Sequence, residues 1–158
     1  MMKKADIILM ALVILLDQAL KAYVRSILPV GGSIDLIGSF FSITHVENAG
    51  AAFSILSGNA GILLVFTGVL VLIGIYYLIK HKDAHWTLHM SLSLIISGGI
   101  ANMIDRALKA SVTDMFDFHF WPVFNIADIA VCVGCGLLII YVLADPDSKL
   151  KENKRNNG

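Results

Sequence analysis

The chain has 158 residues, 57% of them apolar, with 12 basic and 12 acidic side chains and a formal charge of zero. That apolar share, with a mean hydropathy of +0.78, excludes an ordinary water-soluble domain. The absence of net charge removes any global electrostatic argument for nucleic acid or an acidic partner, so the informative quantity is where the charges fall.

In chain order, Lys3-Lys4 followed by the apolar stretch Ile7 to Leu16 looks at first like a secretory signal. Asp17-Gln18-Ala19-Leu20-Lys21 follows instead of a small-x-small cleavage site, and the apolar helical pattern resumes to Val24. The sequence therefore predicts an uncleaved first span over about 5–24. Residues of about 29–59 differ in character. Phe40 to Val46 is rich in β-branched and aromatic residues and is approached through Gly31-Gly32 and Gly38, which predicts a short strand or hairpin. Gly50 to Leu56 reads as a short interfacial helical piece.

The second predicted span, about 60–79, carries no charge and matches one hydrocarbon thickness. The third, about 86–104, holds His89, Ser91, Ser93, Ser97 and Asn102, so one of its faces points at protein rather than lipid. The fourth, about 126–144, contains one ionisable group, Asp128. The fold class is an all-α membrane protein, one domain over 1–158. Four spans put both termini and the loop near residue 80 on one side, with Lys3, Lys4, Lys80, Lys82, Lys149, Lys151, Lys154 and Arg155. Lys21, Arg25, Arg106 and Lys109 lie on the other side. This asymmetry predicts cytoplasmic termini and an external β-rich segment.

Ionisable and amide side chains at membrane depth cost a few kcal/mol or more each, so they are functional candidates by default. The set comprises Asp17, Lys21, Asn48, Asn102, Asp105, Arg106, Asp114, Asn125 and Asp128, each toward the outer end of its helix or in an outer segment. A structural account is open for several of them. Asp17 with Lys21 can be an i,i+4 pair at the interface, Asp105 with Arg106 a helix-end charge pair, and Asn125 an N-cap. Asp128 is the carboxylate for which the sequence offers no structural reason.

Other features read as structure. Cys132 and Cys135 form C-x-x-C inside an apolar helix and are taken as packing residues. His81, His85 and His89 recur every four residues, but three ligands along one straight helix lie too far apart for one ion. Ser91, Ser93 and Ser97 have no activating His and Asp on the outer side, and Gly98 and Gly99 suit close helix packing. A proton-coupled transporter is the competing function class. Against it, the polar groups cluster at one face instead of crossing the membrane, and no internal repeat is seen.

Five blocks stand in order: Asp17-Gln18-x-x-Lys21, Glu47-Asn48-Ala49-Gly50-Ala51-Ala52-Phe53, Gly98-Gly99-Ile100-Ala101-Asn102-Met103-Ile104-Asp105-Arg106, Val112-Thr113-Asp114-Met115-Phe116-Asp117-Phe118 and Phe124-Asn125-Ile126-Ala127-Asp128. Together they resemble the motif set of the lipoprotein signal peptidase (signal peptidase II) family over nearly the whole chain. The resemblance implies four transmembrane helices with a small extracytoplasmic β-cradle and a short interfacial helix. It implies a bacterial inner-membrane aspartyl endopeptidase that cleaves diacylglyceryl-modified prolipoproteins just before the lipidated cysteine. By motif position Asp114 and Asp128 are its catalytic pair. Asp17, Asn48, Gly50, Gly99, Asn102, Arg106, Asn125 and Ala127 match supporting positions, and Lys21 and Asp105 join them as polar neighbours. The expected partners are lipid-modified prolipoproteins and membrane lipid, with no nucleic acid, no metal or cofactor, and a monomeric state. The chain departs from the family in having Ala101 where glycine is usual. Asp117 is a third carboxylate close to Asp114.

Overall fold

The computed structural model describes residues 2–50 and 60–144. Its elements are α1 (Lys4–Ile27), β1 (Ser33–Ile37), β2 (Phe41–Asn48), α2 (Ala60–Lys80), α3 (Trp86–Lys109), β3 (Val112–Asp117) and α4 (Ile126–Ala144). All four helices are long and apolar enough to cross a membrane. The helices occur where expected, but α1 runs three residues past Val24 and α3 five past Ile104. Charged residues end the hydrocarbon-compatible stretch without ending the helix. α1 stops only at Leu28, before Pro29, and α3 stops at Ala110, which takes a left-handed conformation with φ 59°.

The apolar surface is turned outward, as a lipid solvent requires. Ile7, Ile8, Leu12, Leu15 and Leu16 of α1 and Val65, Phe66, Leu72 and Ile73 of α2 are exposed. α3 is the central helix: 61% of its most apolar window is buried, against 11% for α2. It packs on each of the other helices, and its serines, Asn102 and Asp105 face inward. This bears out the inference that one face of the third span meets protein.

Two glycines set the α3–α4 approach. A Cβ on Gly98 would collide with the carbonyl of Ala127, and one on Gly134 would sit 2.8 Å from the Ser91 carbonyl. Any larger residue at either point would push the N-terminus of α4 away from α3. Gly99 faces α2 instead, against Val71 and Thr67.

The three strands form one antiparallel sheet in the order β1-β2-β3. In the second pair Val46 faces Asp114, Glu47 faces Thr113 and Asn48 faces Val112, after an irregularity between Ile43 and Val46. The hairpin anticipated between residues 29 and 59 is β1–β2. The third strand, in the stretch between the third and fourth spans to which the sequence assigned no element, carries Asp114. The sheet seats on the end of α1 through a small core of Val24, Leu28 and Met115. The interfacial piece expected at Gly50 to Leu56 lies, apart from Gly50, outside the described residues.

Two expectations need correction. Cys132 and Cys135 are free and exposed rather than packed within the bundle. The histidines do not share a helix: His81 follows α2, His85 caps α3, and His89 lies inside α3. His89 Nδ1 is 2.9 Å from buried Asp6 Oδ2. Ser91 and Ser97 bond carbonyls of their own helix.

Candidate active site

The site begins at the start of α4. Asn125 caps this helix: its Oδ1 accepts from the Asp128 N–H at 2.9 Å, while its own N–H donates to Asp128 Oδ2 at 3.2 Å. This is the reciprocal arrangement of a capping box. The buried N–H of Ala127, in the first turn of α4, donates to Asp17 Oδ1 of α1 at 2.9 Å. An acidic group at a helix N-terminus is favoured by the partial positive charge there, so Asp17 helps to fix α4 in place.

Asp128 therefore has structural partners after all. Asn102 of α3 adds a further donor, Nδ2 to Asp128 Oδ1, at 2.9 Å. Asn125 Nδ2 donates in the other direction to Asp114 Oδ1, at 2.6 Å, and Asn48 Nδ2 donates to Asp114 Oδ2 at 2.9 Å. Gly50 N–H donates to Asn48 Oδ1 at 3.0 Å, which fixes the amide orientation of Asn48. Each carboxylate is thus held by two donors, and Asn125 supplies one to each.

Behind this layer lies a buried charge cluster. Lys21 Nζ is 2.8 Å from Asp17, 2.9 Å from Asp105 and 2.9 Å from Asn102 Oδ1, with Lys21, Asp17 and Asp105 essentially inaccessible. The interfacial i,i+4 pair considered from sequence is a core element instead. Asp105 pairs with Lys21, and more distantly with Arg25 at 3.8 Å, rather than with its neighbour Arg106. Charges desolvated to this degree persist only when paired and hydrogen-bonded.

Asp114 and Asp128 open into one cavity of about 700 Å³. Asn48, Gly50, Gly99, Asn102 and Arg106 also border it, and its walls are mainly apolar residues of α2, α3 and α4. Asp17, Lys21, Asp105, Asn125 and Ala127 do not border the cavity. Cys132, one turn beyond Asp128, and Trp121 line the cavity too, and neither was anticipated. Arg106 Nε is buried with no hydrogen-bond partner among the described residues, and its charge acts on both carboxylates.

Burial pushes the Asp114 carboxyl up to about 6. The Asn48 and Asn125 hydrogen bonds oppose that rise, and the charge of Asp128 adds to it. Two like groups in one site that raise a pKa are the usual preparation for acid-base work. Asp117 stands apart, accepting from Thr44 at 3.3 Å and from the His119 N–H at 2.7 Å. Among the described residues no three His, Cys, Asp or Glu side chains converge as a metal-ligand set.

Sequence reasoning gave no role to a second polar cluster on the far face of the sheet. There Glu47 accepts from Thr113 at 2.8 Å and from Ser111. Lys109 and Arg25 both donate to the Thr113 hydroxyl. Burial acts to raise the Glu47 pKa, but Ser111, Thr113, His45 and the Lys109 charge together hold it below the usual carboxylate value. The available signal was period-two alternation: Glu47 is followed by Asn48, and Thr113 by Asp114.

Residues 9–144 match the family model described as signal peptidase (SPase) II. Curated relatives include a lipoprotein signal peptidase of Halothermothrix orenii, 41% identical over 85% of this chain and 92% of that protein. Those of Clostridium tetani, 40% identical over 89% and 93%, and Streptococcus pneumoniae, 39% identical over 91% and 97%, are similar. A solved bacterial membrane enzyme superposes with a TM-score of 0.85 at 32% identity, covering 94% of this chain and 96% of its own. These likenesses establish that the chain belongs to the signal peptidase II family.

Proposed function

We propose that this protein is a membrane aspartyl endopeptidase that removes signal peptides from diacylglyceryl-modified prolipoproteins, cleaving just before the lipidated cysteine, with Asp114 and Asp128 as its catalytic pair. The observation that carries the reading is that two carboxylates, linked through Asn125, open into the same largely apolar cavity.

In this mechanism the pair shares one proton. The ionised carboxylate takes a proton from water as the water oxygen attacks the scissile carbonyl carbon. The protonated partner gives its proton to the amide side, and the leaving amine departs protonated. The titration belongs to the pair rather than to either residue. Asn48, Asn102 and Asn125 aim the carboxylates, and Arg106 supplies positive charge that favours the singly ionised state. Asp17, Lys21 and Asp105 hold α1, α3 and α4 together behind them. Gly50, Gly99 and Ala127 keep the backbone close around the site. The apolar wall suits acyl chains and the apolar end of a signal peptide, so the lipid need not leave the bilayer.

The distribution of Lys and Arg supports cytoplasmic termini, an extracytoplasmic sheet and a site toward the outer leaflet of the bacterial inner membrane. The protein acts as a monomer on lipid-modified prolipoproteins, without a cofactor and without nucleic acid. The test is cleavage of a synthetic diacylglyceryl-cysteine prolipoprotein peptide by purified protein with a metal chelator present. Cleavage just before the modified cysteine is expected, and the unlipidated peptide should be a poor substrate. An intact lipidated peptide would contradict the proposal.

A further inference from the structure

We infer that Glu47 is a positioning residue for cleavage, clamping the two strands that carry Asn48 and Asp114. The inference rests on the reading of Asp114 and Asp128 as the catalytic pair.

Side chains alternate across a strand, so Glu47 and Thr113 share one face of the sheet while Asn48 and Asp114 share the other. Glu47 and Thr113 stand directly opposite each other in register, and the Thr113 hydroxyl donates to Glu47 Oε1 at 2.8 Å. Ser111 donates to the other oxygen, and Lys109 Nζ lies 3.8 Å away. Arg25 of α1 and Lys109 of α3 donate to the same Thr113 hydroxyl at 3.0 and 3.2 Å. His45 extends the clamp, with Nε2 3.2 Å from Glu47 and Nδ1 2.8 Å from the carbonyl of Leu28 at the end of α1. One carboxylate thus ties β2 to β3 and to the ends of two helices.

None of these groups lines the cavity, except through the neighbours they fix. One residue along each strand, on the opposite face, Asn48 donates to Asp114 at 2.9 Å. Beyond Asn48, β2 leads into Gly50 at the cavity wall. The irregular stretch between Ile43 and Val46 leaves this end of the pairing to be pinned by side chains. Loosening the clamp lets Asn48 drift from Asp114. Loss of that donor disfavours the ionised carboxylate, so its effect falls on the chemical step and its pH dependence rather than on substrate binding.

The test measures kcat, KM and the pH profile of kcat for full-length wild type, Glu47→Ala and Glu47→Gln on the diacylglyceryl-cysteine peptide. Glu47→Ala should lower kcat about ten- to a hundredfold, the scale of a misplaced group remote from the chemistry. KM should stay within about twofold, the signature of an effect on the transition state alone. The acid limb of the kcat profile should move to higher pH. Glu47→Gln, which can still accept from Thr113, should recover most of the loss. If Glu47→Ala does not fold, Thr113→Val removes the clamp hydroxyl and is expected to show the same changes. Wild type that leaves the peptide intact counts against the proposed function itself. A cleaving wild type with unchanged kcat and pH profile in the folded variant overturns the Glu47 assignment alone.

Discussion

Asn125 donates its side-chain amide to Asp114 at 2.6 Å, the shorter of the two donor contacts to that carboxylate. The same residue caps α4 and so also holds Asp128. The two readings open from sequence, cap or site support, are therefore both true of one side chain.

Variants at Asn125 separate the roles. Asn125→Ala removes the cap, a loss of about 1 kcal/mol, together with the donor to Asp114. Asn125→Ser restores a capping oxygen but cannot reach Asp114 with an amide. Melting midpoints in detergent should recover in the serine variant, while turnover stays low in both. Turnover that recovers along with stability would reduce Asn125 to a cap.

In the proposed mechanism the raised Asp114 value bears on the acid side of the pH profile. Burial favours its neutral form, so lowering the pH through about 6 adds a second proton to the pair and leaves it without an ionised base. Initial rates between pH 4 and 8 should fall toward acid with a midpoint near 6. A rate still at its plateau at pH 4 would contradict this.

Much of this arrangement was legible in the sequence because hydrocarbon is an unforgiving solvent. Asp17, Lys21, Asn102 and Asp128 stood out against apolar helices, and lipid gives such residues no reason to exist unless they meet protein. The reading failed where no local pattern marks the partner. β3 carries Asp114 but has only a short mixed pattern, Val112 to Asp117, and its strand character comes from pairing with β2, a contact between residues some 66 apart. Asp105 was assigned to its chain neighbour Arg106 because spacing shows only local partners. Its partner Lys21 lies on another helix. The exposed Cys132 and Cys135 were misjudged because α4 is apolar all round, which leaves no stripe to mark its packed face.

Lys21 is the positive centre of the buried cluster. Lys21→Met leaves Asp17 and Asp105 facing each other uncompensated, a loss of about 3–5 kcal/mol for a broken buried pair. Unfolding in detergent should show a large drop in midpoint for Lys21→Met. A triple variant that adds Asp17→Asn and Asp105→Asn should regain part of it. Equal stability of the single variant and wild type would contradict the cluster's role.

The orientation is tested by labelling. With Cys132 and Cys135 replaced by alanine, a cysteine at Ser33 in β1 should react with a membrane-impermeant thiol reagent applied outside intact cells. One at Lys82, in the turn after α2, should react only after permeabilisation. The reverse pattern would invert the topology and move the cavity to the cytoplasmic leaflet.

The most direct measurement is single-turnover cleavage of the diacylglyceryl-cysteine peptide by Asp114→Asn, Asp128→Asn and Asp117→Asn. Asparagine keeps the size of each side chain and removes its acid-base function, which typically contributes a factor of about 100 to 10,000. The account predicts losses of that order in the first two variants, with both still folded. Asp117, tied to Thr44 and His119 away from the cavity, should be replaceable with near wild-type turnover. Wild-type activity in Asp128→Asn, or loss in Asp117→Asn with activity kept in Asp114→Asn, would contradict the assignment of the pair.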